Sequence, residues 1–542
     1  VRIIVIGGVA GGMSAAARMR RLDESAQIVV VERSGHVSFA NCGLPYHVGG
    51  VIEDRSSLLL QTPASLGARF GLDVRVRTEA VEVDRERRVV RTRHVGTGET
   101  EQLSYDALVL SPGARPVRPD IPGIERALSL RDIEDTDAMV ARTRGARTAV
   151  VVGGGFIGVE VAENLVHLGL DVAVVEAAPQ VMAPLDVEMV GPVHDRIRKS
   201  GVRLHLGTSV TAVGAEDVTL DSGEQLPAEV VVVAIGVRPD STLAAAAGLE
   251  TGPCGGIVVD EHLRTSDPHI YAVGDAVQKR DALDGADVMV PLANTANLQG
   301  RRVADVIAGH DTVDRPVLAT AIVGVFGLQV ATTGWNEKRL RAAGRPYRAV
   351  HTHPSSHATY YPGADQMHLK LLLDPATDLV LGGQGVGRSG IDKRIDVIAT
   401  AIAGGLTASS LMDLELSYAP QFGAAKDPVN MLGYVADNMR RGVTRTLQWH
   451  ELEDAVADGA TVVDVRTGSE HARGAIPGAV LLPVDELRRR VDELPAGPLV
   501  VHCAVGVRGH TAARLLTQLG RDVRNLDGGY LTWSAGHALG RP

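Results

Sequence analysis

Aromatic residues are scarce. Phe, Trp and Tyr make up 3% of the 542 positions, so Ala, Val, Leu and Ile must fill whatever core the chain builds. Cysteine is scarcer still: Cys42, Cys254 and Cys503 are the three present, and none stands in a C-x-x-C pair. That excludes a disulfide framework and points to a reducing cytoplasm with one or two reactive thiols. No stretch reaches the ~18 consecutive apolar residues of a membrane span. The opening apolar run, residues 3–6, meets Gly7 at once and is too short for a secretory leader. Positive charge is also short, with 55 Lys and Arg against 65 Asp and Glu and a formal net charge of −10. Binding of nucleic acid by bulk charge is thereby excluded, while a local basic pocket for a phosphorylated ligand is not. The expectation is a soluble cytoplasmic protein with no nucleic-acid or membrane partner.

Glycine, by contrast, is plentiful: 61 residues without a collagen-like period, as nucleotide-binding turns require. At a prior of about 150 residues per domain the chain holds three or four domains. Its first segment reads as strand, glycine turn, helix, strand: residues 3–6, then 7–12 (GGVAGG), then a helix over 14–22, then 28–31 ending in Glu32. The pattern returns with a strand at 149–152, the turn 153–158 (GGGFIG), a helix over 159–168, and 172–175 leading to Glu176. Such a turn aims backbone N–H groups and a helix dipole at a pyrophosphate, and the acid ending the second strand accepts from a ribose diol. Gly153, Gly155 and Gly158 keep the G-x-G-x-x-G spacing; at the N-terminus Val9 replaces the middle glycine between Gly7 and Gly12. Apolar runs at 107–110 and 230–234 follow, then residues 265–276 with Gly274 and Asp275. Strand-like runs at 369–373 and 379–384 and a helical pattern after Asp392 come next. Residues 430–445 read as a connector, and a fresh α/β pattern starts at Thr446. It has strands at 461–465, 480–483 and 499–502 and a helix over 511–519.

Two such units closed by residues 265–276 resemble the FAD- and NAD(P)H-dependent pyridine nucleotide–disulfide oxidoreductases over residues 1 to about 440. The resemblance implies FAD on the N-terminal unit (Gly7, Gly12, Glu32, Gly274, Asp275), with Asp275 at the ribityl or pyrophosphate part. It implies a nicotinamide cofactor on the central unit (Gly153, Gly155, Gly158, Glu176). A carboxylate at Glu176 suits the 2′-hydroxyl of NADH and repels the 2′-phosphate of NADPH. No Arg or Lys lies between Glu176 and Asp186. NADH is therefore favoured.

Residues 38–46 (SFANCGLPY) select a branch. Dithiol reductases carry C-x4-C here, but the position five before Cys42 is Val37. A lone thiol must form its mixed disulfide with something external. The motif is similar to that of the coenzyme A–disulfide reductases. The related peroxidases and oxidases have a histidine where Ala10 stands. By the same resemblance Ser14, Arg18, Arg21, Ser38, Asn41 and Lys426 meet coenzyme A, bound as substrate or co-substrate. Tyr360 and Tyr418 are implied to reach the flavin and Cys42 from the partner subunit of a homodimer. A phenol can donate to a leaving thiolate or hydropersulfide.

Residues 446–542 resemble a rhodanese (sulfurtransferase) module. Residues 503–508 (CAVGVR) form C-x4-R, one residue short of the C-x5-R of cysteine phosphatases. Backbone N–H groups in such a loop stabilise a thiolate and its persulfide, with Arg508 as brace. Residues 463–466 and 471–479 match the framework. Cys254 reads as structural, and no metal is expected.

The fold expected is α/β: two dinucleotide-binding Rossmann-like domains, an α+β dimerisation domain and a C-terminal rhodanese-like α/β domain. The limits are 1–115 with 250–318 for FAD, 116–249 for NAD(P)H, 319–443 for dimerisation, and 444–542 for the rhodanese. The expected function is NADH-dependent reduction of coenzyme A disulfide, coenzyme A persulfide or polysulfide at Cys42, with Cys503 supplying sulfane sulfur. The alternatives are an NADH oxidase or peroxidase-like flavoenzyme, and a redox sensor with a binding-only rhodanese domain.

Overall fold

The structure, a computed structural model, describes residues 1–540. The chain divides into two compact units, residues 1–179 with 201–319, and residues 180–200 with the chain from Thr320 on.

In the first unit, short β-branched runs form two parallel sheets. One has the order Ile270–Ala272, Ala107–Leu110, Arg2–Ile6, Gln27–Val31, Asp73–Arg75. Alternate side chains of its first strand enter opposite cores: Ile3 and Val5 one, Ile4 and Ile6 the other. Burial on both faces is why these runs are continuously apolar rather than alternating. The second sheet has the order Arg203–Leu206, Asp171–Glu176, Thr148–Val152, Val230–Val233, all parallel.

The first crossover helices start earlier than the sequence pattern indicates, at Ala10–Leu22 and Phe156–His167, because the glycine turns already wind into the helix. Neither helix has a side-chain cap or an acid in its first turn. Their leading N–H groups therefore stay open to an anion.

The second unit holds an antiparallel sheet of order Ala321–Val325, Leu328–Gly334, Val380–Gly387, His368–Leu373, Arg348–Thr352. Helices Ile391–Ala403 and Pro428–Arg440 share a core with it. The latter helix corrects the expected connector over 430–445. Its start is set by Pro428 and an Asp427–Asn430 capping box, and Val429, Leu432 and Ala436 line its buried side. A side chain at Gly433 would lie 2.3 Å from the Met412 nitrogen, so that glycine marks close packing, not a break.

The unit's other sheet is parallel: Thr446–Leu447, Val523–Leu526, Leu499–His502, Thr461–Asp464, Val480–Leu481. Helix Val187–Lys199 belongs to this unit as well. Its Gly191 lets Ala535 of helix Gly529–His537 approach, with 3.1 Å left to a would-be Cβ.

Buried charges join these pieces. The Lys370 ammonium is fully buried and lies 2.9 Å from Asp186 and 2.7 Å from Glu337, with Glu188 also in contact. Three carboxylates that could otherwise hold a metal ion thus converge on a lysine. His351 sits between two of the unit's acids, Nε2 2.8 Å from Glu188 and Nδ1 2.7 Å from Asp527. Burial alone would push the imidazole down, but the two carboxylate bonds outweigh it and raise its pKa to about 9. Both ring nitrogens therefore donate.

Candidate active site

Both glycine turns are shaped by backbone contact. Gly7 has φ +98°, and a Cβ there would lie 2.0 Å from the Ser111 carbonyl oxygen; one on Gly12 would lie 1.9 Å from that of Gly7. In the second turn Gly153 (φ +108°) and Gly158 meet the carbonyls of Ala234 and Gly153 in the same way, at 2.4 and 2.0 Å. Gly155 faces open space, which leaves a ligand free to approach the backbone. The strand-ending acids repeat the likeness. Glu32 accepts from Gly8 N–H at 2.8 Å, and Glu176 from Gly154 N–H at 2.7 Å.

The closing turn Gly274–Ala276 presents Asp275. Among the described residues its Oδ1 is buried without a hydrogen-bond partner. Burial raises the Asp275 carboxyl, against the pull of Lys279 and Arg131. Lys279, itself buried, donates to the Gly274 carbonyl at 2.8 Å. An orphaned acceptor beside the first glycine cradle fits a flavin dinucleotide, whose hydroxyl and amide groups would satisfy it.

Cys42 lies in the 3₁₀ turn Asn41–Gly43 that feeds the short helix Leu44–Val48. The residue is exposed, and its Sγ is 3.9 Å from Asn41 Oδ1. Ser38, at φ 48°, donates its N–H to the Gly8 carbonyl at 2.8 Å and so ties this loop to the first glycine turn.

The sequence pattern does not reveal the neighbour of Cys42 on helix Phe156–His167. Glu160, two residues past Gly158, accepts from the Tyr46 hydroxyl at 2.9 Å. Desolvation first, then the carboxylates of Glu160 and Asp275, raise the Cys42 thiol. Burial likewise raises Glu160. The spacing that puts Glu160 one turn into the helix was the available signal; its partner at Tyr46 was not readable.

The residues expected to hold coenzyme A are arranged differently from one another. Ser14 hydrogen-bonds to Asn297. Arg18 pairs with Asp305 at 2.8 Å. Arg21 is exposed and stacks over Phe70 with its guanidinium 5.1 Å from the ring centre. The two arginines turn to different partners rather than forming one free pair. Asn41 and Lys426 are exposed. Cys254, read as structural, is also exposed, in a turn with Sγ 3.7 Å from the Asp287 carbonyl.

In the second unit the Tyr360 and Tyr418 hydroxyls meet at 2.6 Å, although the residues are 75% and 47% exposed. That bond raises the Tyr418 phenol. Phe422, four residues past Tyr418, is 68% exposed.

Cys503 directly follows the central strand Leu499–His502 and is fully buried. Its helix is Val507–Gln518, not 511–519 as the pattern indicates, so Arg508 stands in the first turn. Gly506, at φ +93°, makes the bend. Tyr530 and Leu531 N–H groups hold the Cys503 and Ala504 carbonyls at 2.8 and 3.0 Å. Gly529 lets them do so: a Cβ there would lie 2.5 Å from the Cys503 oxygen.

Arg508 donates two bonds to Glu470, at 2.8 and 2.6 Å. Its pKa is raised first by that pairing and further by the facing Cys503 thiol. Glu470 is drawn down to about 2, chiefly by Arg508. Behind the loop, buried Asp464 accepts from Arg466 at 2.6 Å and from His471 at 2.8 Å. Arg466 lies over the Tyr530 ring at 4.3 Å.

The sequence profile of the pyridine nucleotide-disulphide oxidoreductases matches residues 1–300, more than half of the chain. The chain belongs to that family. The oxidoreductase's dimerisation-domain profile matches residues 320–428, and a rhodanese-like domain profile matches 448–536. The family implies FAD and NAD(P)H as cofactors, and the dimerisation domain suggests a homodimer.

Among relatives of the oxidoreductase, the coenzyme A disulfide reductase of Staphylococcus aureus (strain bovine RF122 / ET3-1) is 33% identical over 440 residues. The match spans 80% of this chain and 99% of the relative. The crystal structure of reduced Bacillus anthracis CoADR-RHD has a TM-score of 0.97 at 46% identity, covering 99% of this chain and 98% of that one. A NAD-dependent persulfide reductase from A. fulgidus has a TM-score of 0.93 at 38% identity, covering 98% and 100%. The α/β fold expected from the sequence is the fold found. Among the described residues no helix is long and apolar enough to cross a membrane.

Proposed function

We propose that this oxidoreductase uses NADH to reduce coenzyme A disulfide, coenzyme A persulfide or polysulfide at Cys42, and that Cys503 supplies sulfane sulfur to that reaction. The observation that carries the reading is exposed Cys42 without a second thiol beside it, on a chain with buried Cys503 in the loop that opens helix Val507–Gln518. Bound FAD and NADH would supply the two-electron chemistry.

The chain's own residues do the rest. Glu32 and Glu176 hold ribose hydroxyls, and the carboxylate at Glu176 favours NADH. Asp275 anchors the flavin's polar chain. Ser14, Arg18, Arg21, Ser38, Asn41 and Lys426 orient coenzyme A. Cys42 attacks the outer sulfur of the substrate as thiolate, and coenzyme A leaves as thiolate. Two electrons then cleave the sulfur–sulfur bond on Cys42, which regains its thiolate as hydrosulfide or a second coenzyme A departs. Tyr360 and Tyr418 serve the Cys42 of the other chain in a homodimer, donating to the leaving sulfur. Their exposure as a bonded pair supports that role. Domain limits of 1–115 with 250–318, 116–249, 319–443 and 444–542 go with this reading.

The test compares two variants. Cys42→Ser is expected to abolish reduction of all three sulfur substrates while NADH still reduces an artificial acceptor. Cys503→Ser is expected to spare reduction of preformed coenzyme A persulfide and to slow that of polysulfide. Full turnover by the first variant sinks the reading. Equal losses on both substrates in the second sink the supply role.

A further inference from the structure

The loop around Cys503 carries its charges in matched pairs. Between Cys503 and Arg508 stand Ala504, Val505, Gly506 and Val507, with no charged or hydroxyl side chain. Val507 is 57% exposed, so the rim is apolar. The loop's cation, Arg508, is bound in two places by Glu470. Glu470 is held in turn by the Thr467 N–H and hydroxyl at 3.0 and 2.9 Å. The Arg508 bonds hold its carboxyl down to about 2, so it is ionised at neutral pH. The next cation inward, Arg466, is matched by Asp464 and by the Gly474 carbonyl. His502, behind the loop, is held down to about 4 by burial and is neutral. Arg508 and Arg466 therefore each have a full negative charge attached.

We infer that the Cys503 site takes sulfur from hydropersulfides, R–S–SH, and discriminates against dianionic donors such as thiosulfate, and that Glu470 sets this preference by neutralising Arg508. The inference rests on Cys503 being a sulfur-transfer thiol. In the step, Cys503 thiolate bonds to the terminal sulfur of R–S–SH. The donor's sulfur–sulfur bond breaks, its electron pair leaves with R–S⁻, and Cys503 becomes the hydropersulfide. No oxidant or reductant is consumed. The form that reacts is the protonated hydropersulfide, whose transferred sulfur brings no charge to the apolar rim. A dianion would need a free cation there and instead meets Glu470. Glu470 is a positioning residue: it acts through Arg508.

The experiment uses the full-length flavoprotein without NADH. Loading of Cys503 with one sulfur is followed by mass spectrometry of the alkylated peptide, with the persulfide of N-acetylcysteine methyl ester, whose body is uncharged, or thiosulfate as donor. The wild type is expected to load from the persulfide at least about tenfold faster, the scale of one unscreened unit charge at a few ångströms. Glu470→Gln is expected to raise thiosulfate loading by about tenfold and to leave persulfide loading within about threefold, with the thiosulfate gain shrinking as salt is added. Glu470→Asp, which keeps the charge, is expected to restore the wild-type ratio. Wild-type loading that is as fast from thiosulfate overturns the inference. So does a donor ratio that Glu470→Gln leaves unchanged, or one that Glu470→Asp and Glu470→Gln alter alike. Failure of Cys503 to load from either donor, or loading that survives in Cys503→Ser at another residue, overturns the transfer-thiol reading itself. Those outcomes are distinct from a wrong donor preference.

Discussion

Cys42 faces two carboxylates, Glu160 and Asp275, and its thiol is held above its ordinary value. Removing one of those negative charges must lower it, because the thiolate is the form they oppose. Glu160→Gln is therefore expected to speed alkylation of Cys42 by iodoacetamide at pH 8 by about two- to fivefold, as the thiolate fraction rises. A pH profile of the alkylation rate checks this, and an unshifted profile counts against it. What was readable at this scale was whatever depends on close spacing: the glycines, the strand-ending acids, and the absence of a cysteine at Val37. Glu160 and Glu470 were not readable. Their partners, Tyr46 and Arg508, stand 114 and 38 positions away. Arg18 shows the same limit in reverse. Its helix face was legible, but the partner that turns it aside, Asp305, lies 287 residues on.

Elements were legible where one period dominates. Strands such as Arg2–Ile6, Ala107–Leu110 and Val230–Val233 are legible to within a residue or two because two-sided burial leaves an uninterrupted apolar run, whereas Val523–Leu526, broken by Arg524 and Asn525, is not. Helix Pro428–Arg440 was lost because Asn430, Gly433 and Asn438 dilute its apolar stripe. Besides its buried side, Asp427 holds it in place. That residue caps the helix and pairs with buried Arg394 at 2.8 Å. Asp427→Ala removes the cap, worth about 1 kcal/mol. It also strands a buried guanidinium, at about 3–5 kcal/mol. A clear drop in midpoint is expected in thermal unfolding, with Asp427→Asn retaining the cap and recovering only the smaller part. Gly158→Ala is a cleaner probe of the central turn. Its Cβ would strike the Gly153 carbonyl, so weaker NADH binding is expected with FAD still bound. Titration with NADH and the flavin absorbance of the purified variant read the two separately.

For the whole molecule, two measurements stand out. Sedimentation is expected to show a homodimer at assay concentration, the commonest closed assembly. An active monomer would contradict the role given to Tyr360 and Tyr418. The second concerns pH. His351 is raised in the folded protein from 6.5 to about 9. Its contribution is complete below pH 6.5 and disappears as pH climbs from there to about 9, amounting to roughly 3 kcal/mol. Unfolding midpoints of the wild type are thus expected to fall across that window. Those of His351→Gln, whose side chain does not titrate, should start lower and stay flat there. Parallel decline in both would show that the loss comes from elsewhere.

The same histidine bears on how separable this protein is. Asp527 comes from the last stretch of the chain, while Glu188 and Lys370 come from far upstream, and together they share one closed set of buried charges. A chain stopped at residue 444 would not merely lose an appendage. It would leave His351 half-matched and bare the side of helix Val187–Lys199 that Ala535 covers. Grafting a foreign sulfurtransferase in its place would require an acid at the position of Asp527 and a small residue opposite Gly191. The tail thus functions as a keystone, and a truncated protein is expected to express poorly or to aggregate even where reduction at Cys42 needs nothing from Cys503.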